Sequence, residues 1–346
     1  MSPALHLLPE LADRRLPAPR ASHRVVRAAL LSVTAALVLV LFAGPWVHAQ
    51  QSAEVGPRLS TSVTGIAAAD RAAYTAVGSG DTWEEPVVLT YHDIAPDSSS
   101  VYVVTPADFE AQMQMLSLAG YQALTLAQFE DYLAGEYRPG PRSVLITFDD
   151  GTSGLWRYAD RILERYGMRA TSFVITGSVG TRAPYYLTWS ELRRMQATGR
   201  WDLGSHTHDL HRRAEVPAPG RPAGLLAPQL DGSGEAEGAS SHAARVAADL
   251  DASIAAMTEQ GLPAPVAFSY PFSQSGDGTS TPADETVAGR LLHERFDLTF
   301  INAPGTATRV APGVPEEGVV GRFEIFSDDD HRSLHEQLRA GRSDPR

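Results

Sequence analysis

The sequence contains no cysteine. Disulfide bonds and thiolate metal sites are therefore excluded, and any metal ion would be held by histidine and carboxylate side chains. Positive charge is also scarce, because 29 lysine and arginine residues face 41 aspartate and glutamate residues and give a net charge of -12. This balance excludes a broad attraction to nucleic acid. The 346 residues, 43% of them hydrophobic, have a globular composition and suffice for one large domain with a tail.

The first 85 residues differ in composition from the rest of the chain. Residues 1–27 are basic, and residues 28–47 are apolar and free of charge over about the 20 residues that a membrane-spanning helix needs. Because the arginines precede this run, it predicts a single-pass anchor in the cell membrane with a cytoplasmic amino terminus and an extracellular domain. Val47-His48-Ala49 resembles a cleavage site, and cleavage there would give a secreted protein. Residues 48–85 are predicted to link this segment to a domain at 86–340.

Strand-like and helix-like segments alternate through the predicted domain. Such βα alternation implies an α/β fold with a parallel sheet covered by helices, and this number of units favours a closed or nearly closed barrel. One segment, residues 212–241, is rich in Pro, Gly, Ala and Glu and is too long for an ordinary βα loop. We expect it to be a mobile loop over the active face. The predicted strands are 87–91, 121–124, 144–148, 170–176, 201–205, 266–270 and 298–301.

Polar clusters follow four of these strands. The run V-L-I-T-F-D-D-G ends with Asp149 and Asp150, and G-S-H-T-H-D-L-H places three histidines in six residues after a later strand. Shorter clusters, Y-H-D at 91–93 and S-Y-P-F at 269–272, follow two other strands. The carboxyl ends of parallel strands meet at one edge, so these groups should converge. Two imidazoles and one carboxylate leave open positions on a divalent ion, as in catalytic zinc sites, and either aspartate could supply the carboxylate.

These motifs resemble those of the NodB-type polysaccharide deacetylases, carbohydrate esterase family 4. T-F-D-D-G at 147–151 looks like the first motif of that family, whose fold is a distorted (β/α) barrel. The usual second motif has two histidines four residues apart, whereas His206 and His211 are five apart. That spacing, together with the early Y-H-D, is similar to the poly-β-1,6-N-acetylglucosamine deacetylases of biofilm synthesis. The resemblance covers about residues 86–326.

The resemblance implies a role for each of the principal site residues. Asp149 would be the general base, and Asp150, His206 and His211 would bind a divalent cation, zinc foremost, with cobalt, nickel and iron as alternatives. The departing amine needs a proton from an acid of near-neutral pKa, which His92 can be. From spacing alone, a His206/His208 pair of ligands is also possible, because residues two apart on an extended segment face the same way.

Other positions are expected to support these residues. The arginine with which the family holds its base is replaced here by Ser269, and Arg322 is a candidate substitute. Leu210 would be buried and turn the last histidine back toward the ion, while His208 or Asp209 would fix the tautomer of a ligand imidazole.

A sugar-binding groove and several functions fit this pattern. Trp189, Tyr270 and Phe272, with Pro271 between the last two, are expected to line a groove in which sugar rings stack. The sequence favours a metal-dependent N-deacetylase of an N-acetylglucosamine polymer at the cell surface. Deacetylation of peptidoglycan, chitin-like chains or O-acetylated xylan, and a non-catalytic glycan-binding module, are the alternatives. A glycosidase is disfavoured, because adjacent carboxylates cannot easily flank a glycosidic bond.

Overall fold

A computed structural model describes residues 65–76, 85–97, 99–214, 223–230, 232–275, 282–303, 307, 309–313 and 318–340. The predicted cytoplasmic segment and membrane span, residues 1–47, lie outside these ranges. Within the described residues, no helix combines the length and the apolarity that crossing a membrane requires.

Seven parallel strands of the described chain close into a barrel, as the βα alternation predicted. The described residues contain ten strands, of which β2, β3 and β4 lie outside the barrel. They are β1 Val87–Tyr91, β2 Asp93–Ile94, β3 Val103–Val104, β4 Gln122–Ala123, β5 Ser143–Phe148, β6 Ala170–Val174, β7 Trp201–Ser205, β8 Ala267–Ser269, β9 Leu298–Ala303 and β10 Val319–Glu324. The order β1-β10-β9-β8-β7-β6-β5 returns to β1, which pairs with β5 from Val87↔Val144 to Tyr91↔Phe148. Strand β4 pairs with the start of β5, and β2 and β3 form a separate two-stranded sheet. The closed ring brings the carboxyl ends of all seven strands to one face.

Helices cover the barrel, and side-chain caps define where several of them begin. They are α1 Ala68–Thr75, α2 Pro106–Leu118, α3 Leu126–Leu133, α4 Asp160–Tyr166, α5 Trp189–Ala197, α6 Ala239–Glu259, α7 Val287–His293 and α8 His331–Ala340. One turn of π-helix, Leu155–Ala159, precedes α4. The Thr105, Thr125 and Thr188 hydroxyls each accept a hydrogen bond from the backbone N–H three residues on, so these threonines fix the starts of α2, α3 and α5.

The core has two layers, because successive residues of a strand point to opposite faces. Val88 and Leu145 pack with Phe173 and Phe300 in one apolar cluster, which also contains residues of α3. Their sequence neighbours on β1 and β5 belong to a second cluster, which includes residues of α2 and α4. Strands buried on both faces in this way read as the continuous apolar runs seen in the sequence.

Two predictions about connecting segments are wrong where the structure describes them. The predicted linker 48–85 contains α1, whose Tyr74 is 3% exposed and has its hydroxyl 2.6 Å from Nδ1 of His331. The described part of 212–241 is packed rather than a mobile loop, because Ala223, Leu225 and Leu226 lie in one cluster with residues of α6 and the last three residues belong to that helix. In both cases a few apolar side chains find partners distant in sequence, which the local composition does not reveal.

Candidate metal centre and active site

The four polar clusters meet at the carboxyl face of the barrel. His92 follows β1, Asp149 and Asp150 follow β5, and His206 follows β7. These residues and Phe272, which follows β8, line a cavity of about 560 Å³. The convergence expected from the parallel strands is therefore present in three dimensions.

Asp150, His206 and His211 form a group that fits a metal ion. Their ligand atoms all lie within 4.8 Å of one another. Oδ1 of Asp150 is 3.6 Å from Nε2 of His206 and 3.5 Å from Nε2 of His211, beyond hydrogen-bonding distance. Ligands about 2.1 Å from a tetrahedral zinc ion are about 3.4 Å from each other. The distances from Asp150 to the two histidines thus match the spacing that such an ion imposes.

The two imidazoles are held in the neutral form that ligation requires. Burial lowers the pKa of His206 and of His211 to about 4, although nearby carboxylates oppose this effect. The Nδ1–H of His206 donates to the carbonyl oxygen of Ser269 at 2.7 Å, which leaves Nε2 free to face the ion. The sequence suggested that His208 or Asp209 fixes the tautomer of a ligand imidazole. For His206 the partner is instead a backbone carbonyl.

The His208 side chain and the backbone of His208 and Asp209 make their hydrogen bonds outside the metal group. Nδ1 of His208 is 2.9 Å from the Thr176 hydroxyl, so this imidazole is paired away from the metal group. The backbone N–H groups of His208, Asp209 and Leu210 all donate to the carboxylate of Asp249 on α6, at 2.9, 2.7 and 3.0 Å. Asp249 therefore holds the loop that separates the two ligand histidines.

Leu210 is the buried residue of that loop. It is 3% exposed and packs in the apolar cluster that contains residues of α6, so the chain turns inward there and His211 returns to the cavity. The loop needs a left-handed backbone at Thr207, whose φ is 76°. Asp150 and Phe272 are also left-handed, with φ of 71° and 58°. Non-glycine residues in this region are strained and cluster at functional sites, where packing maintains them.

Asp149 lies beside the metal group and is held by Arg322. Nη1 and Nη2 of Arg322 donate to Oδ1 and Oδ2 of Asp149 at 2.8 and 2.7 Å, and Ser269 Oγ donates to Oδ2 at 3.1 Å. Burial by itself would raise the pKa of Asp149, but the guanidinium of Arg322 and the imidazoles of His206 and His92 together outweigh burial and hold this pKa well below its usual range. Arg322 comes from β10 and stands where the sequence had suggested a substitute for the arginine of the family.

His92 faces the carboxylate of Glu324, on the strand that pairs with β1. Its Nε2 lies 3.7 Å from Oε1 of Glu324, and Nδ2 of Asn302 donates to the same oxygen at 2.7 Å. The ring also contacts Tyr102, with 4.9 Å between ring centroids. Glu324 and Asn302 lie on β10 and β9, and sequence reasoning missed both because neither belongs to a recognisable motif.

The aromatic residues of the cavity are only partly those expected. Phe272 does lie over the site, with its ring centroid 4.6 Å from that of His211. Trp189 instead packs against the core at the start of α5, and Tyr270 and Pro271 are buried, although Tyr270 borders the cavity. The exposed aromatic side chains at its rim are Tyr102 and Tyr185, which are 45% and 46% exposed. Their loops carry no periodic signal from which this exposure could have been predicted.

Comparison with known proteins agrees with this site. Residues 136–286 match the family model described as polysaccharide deacetylase. The chain is 39% identical over 113 residues to a poly-β-1,6-N-acetyl-D-glucosamine N-deacetylase of Staphylococcus aureus, an alignment that covers 32% of this chain and 39% of that protein. The chain thus spans about two fifths of the length of the curated relatives it matches.

Solved structures extend the likeness over most of the chain. IcaB from Ammonifex degensii is 26% identical with a TM-score of 0.59, and the match covers 75% of this chain and 98% of that one. A de-N-acetylase from Aggregatibacter actinomycetemcomitans, 19% identical, shares the fold with a TM-score of 0.62 over 73% of this chain and 100% of that one. The resemblance predicted from the motifs is confirmed by the match of residues 136–286 to the polysaccharide deacetylase family model.

Proposed function

We propose that this chain is a metal-dependent hydrolase that removes N-acetyl groups from a polysaccharide containing N-acetylglucosamine. The observation that carries this proposal is the group of Asp150, His206 and His211, whose ligand atoms lie within 4.8 Å of one another, next to the carboxylate of Asp149, which is paired with Arg322 and has a low pKa. The similarity to the staphylococcal N-deacetylase supports the substrate class.

Asp150, His206 and His211 would hold the cation, and their nitrogen and oxygen donors suit zinc, with cobalt, nickel or iron as alternatives. When bound, a divalent cation polarises the acetamide carbonyl and acidifies water. The three donors have an open face toward the cavity, where the acetamide would enter.

Asp149 is the proposed proton acceptor. Its low pKa means that the carboxylate is ionised at neutral pH and available to take a proton from the attacking water. Oδ2 already accepts two hydrogen bonds, from Arg322 and Ser269, whereas Oδ1 accepts one from Arg322. A carboxylate oxygen has two lone pairs, so Oδ1 retains capacity for a further hydrogen bond.

His92 is the proposed proton donor to the departing amine. An imidazole is the side chain whose ordinary pKa lies closest to neutral pH, which suits an acid that must also be regenerated. Glu324 lies 3.7 Å from Nε2, and both His92 and Asp149 line the cavity at the ends of the paired strands β1 and β5. The backbone N–H of Phe272 is the proposed second donor to the oxyanion, at a residue that lines the cavity in a left-handed conformation.

Acetate release from a panel of glycans tests the proposal. The full chain, loaded with zinc, should release acetate from poly-β-1,6-N-acetylglucosamine, and a chelator should abolish this release. Peptidoglycan, chitin oligomers and O-acetylated xylan serve as the competing substrates, and Asp149→Asn as the inactive control. Acetate release only from xylan would make the protein an esterase. Glycan binding with no acetate released from any substrate by the zinc-loaded chain would favour the binding module.

We also propose that residues 28–47 place the domain outside the cell, either anchored or secreted after cleavage. The arginine-rich segment before this apolar run supports the orientation. Protease added to intact cells should digest an anchored domain, and the culture medium should contain a secreted one. Full protection of a cell-associated domain would refute both arrangements.

A further inference from the structure

A second cavity adjoins the active site and shares part of its wall. Its volume is about 450 Å³, and Ser273, Asn302 and Glu324 border both cavities. The remaining wall includes Phe326 and Asp329. The two cavities therefore meet at a common wall beside the metal group.

The wall shared by the two cavities contains a buried acceptor without a donor. Asn302 is 7% exposed, and its Oδ1 has no hydrogen-bond partner among the described residues. Its Nδ2 donates to Oε1 of Glu324, which fixes the orientation of the amide, because an inverted amide would set two acceptor oxygens against each other. A buried acceptor of this kind calls for a donor from a ligand.

The ionisable side chains that border the second cavity are both acidic. Glu324 and Asp329 contribute two carboxylates, and no arginine or lysine is among the described residues that border the cavity. The Asp329 oxygens already accept from the Phe326 N–H and the Ser333 hydroxyl, so Glu324 is the carboxylate open to a ligand. Arg322 is paired with Asp149 and does not border this cavity; burial raises the pKa of Glu324, while the charges of His92 and Arg322 favour its ionised form.

We propose that Glu324 and Asn302 form a subsite for an amino sugar that carries a free ammonium group, next to the unit that is deacetylated. The inference rests on the proposed function and deepens it, because it makes a partly deacetylated chain the preferred substrate. An ammonium offers three donors and one positive charge, which match a carboxylate, an unpaired amide oxygen and the negative field of Asp329. A hydroxyl would pair with Asn302 but would leave the negative charge of Glu324 without a cation beside it. Earlier deacetylation would thus favour further deacetylation beside it.

Binding of two matched ligands tests this subsite without turnover. The full chain, stripped of metal so that no acetate is released, is titrated calorimetrically with a β-1,6-linked glucosamine trimer and with its N-acetylated counterpart. Glu324→Gln in the metal-free chain should weaken trimer binding at least tenfold and binding of the N-acetylated ligand less than twofold. Gln keeps an oxygen for Nδ2 of Asn302, and thermal unfolding checks that the variant is folded. Asp328→Asn, which removes one exposed charge nearby, is the control and should change neither affinity more than twofold.

The outcomes separate the subsite from the activity. Equal weakening for both ligands, or none for the amine, would overturn the subsite, and Asn302→Ala, which removes the unpaired oxygen, should give the same selective loss if Glu324→Gln proves unstable. An equal loss in Asp328→Asn would assign the effect to net charge and also overturn it. Selective amine binding in a chain that releases no acetate when loaded with zinc would instead refute the deacetylase while leaving the subsite intact.

Discussion

Replacing Asp249 by alanine should loosen the metal site from a position outside it. Asp249 is 8% exposed, and its two oxygens accept the backbone N–H groups of three consecutive residues, 208–210. The side chain thus holds the loop between His206 and His211 against helix α6. Alanine would leave all three N–H groups without their acceptor.

The size of the effect follows from these three hydrogen bonds. A hydrogen bond to a charged group contributes about 1.5–3 kcal/mol, but the three share one carboxylate and are not additive, so we expect a loss of roughly 3–5 kcal/mol of unfolding free energy. Asn retains one acceptor oxygen and should cost about half as much. Because groups that orient ligands change metal affinity by about 10–100-fold, zinc should bind Asp249→Ala that much more weakly.

Chemical denaturation and a competition titration of zinc against a chromogenic chelator measure the two effects. Asp251→Asn on the same helix is the matched control, because that side chain is 61% exposed and pairs with Arg295 at the surface. Such surface pairs contribute about 0–1 kcal/mol, and the control should keep wild-type zinc affinity. If Asp249→Ala were as stable as Asp251→Asn and bound zinc equally well, the loop would be held by something other than this carboxylate.

Three further predictions concern the site itself. Arg322→Gln should reduce the unfolding free energy by about 3–5 kcal/mol, because it leaves a buried carboxylate poorly paired. It should also move the acidic limb of the pH–activity profile to higher pH as the pKa of Asp149 rises. An unmoved limb would show that Asp149 is not the group whose protonation sets that limb. Metal analysis of purified His211→Ala should find no ion and that of His208→Ala a full complement, and the reverse would exchange their roles. Because the folded-state pKa values of His206 and His211 are about 4 and the unfolded value is 6.5, the unfolded chain binds more protons between these limits. The metal-free protein should therefore lose stability as pH falls from 6.5 to 4, and a flat profile in urea titrations would contradict the buried neutral imidazoles.

The sequence reveals the parts of the barrel whose signals are local. Apolar runs that end in polar residues identify β1, β5 and β7, and caps at Thr105, Thr125 and Thr188 identify helix starts. Strand β10 was not predicted, although it closes the barrel. Its sequence V-V-G-R-F-E contains a glycine and two charges, which are unfavourable in an ordinary buried strand.

The reason for this omission lies in pairing across long sequence distances. Arg322 is 1% exposed, and it is tolerated in the barrel because Asp149, 173 residues earlier in the chain, balances its charge. The exposure of the tyrosines at the cavity also depends on tertiary structure. Tyr270 is buried and Tyr185 is exposed, although both lie in segments that follow strands. Residue type and spacing predicted which groups carry the chemistry, whereas loop paths decide which aromatic side chains a sugar can touch.

The position of β10 also determines when the site can exist during synthesis. This strand lies between β9 and β1, so a nascent chain that ends before it has two strand edges without a partner. At that stage Asp149 also lacks the guanidinium that balances its buried charge. We therefore expect the growing polypeptide to remain an open sheet without a complete site until β10 leaves the ribosome. Nonsense mutations upstream of β10 should yield inactive, aggregation-prone fragments that depend on chaperones, rather than partly active enzymes.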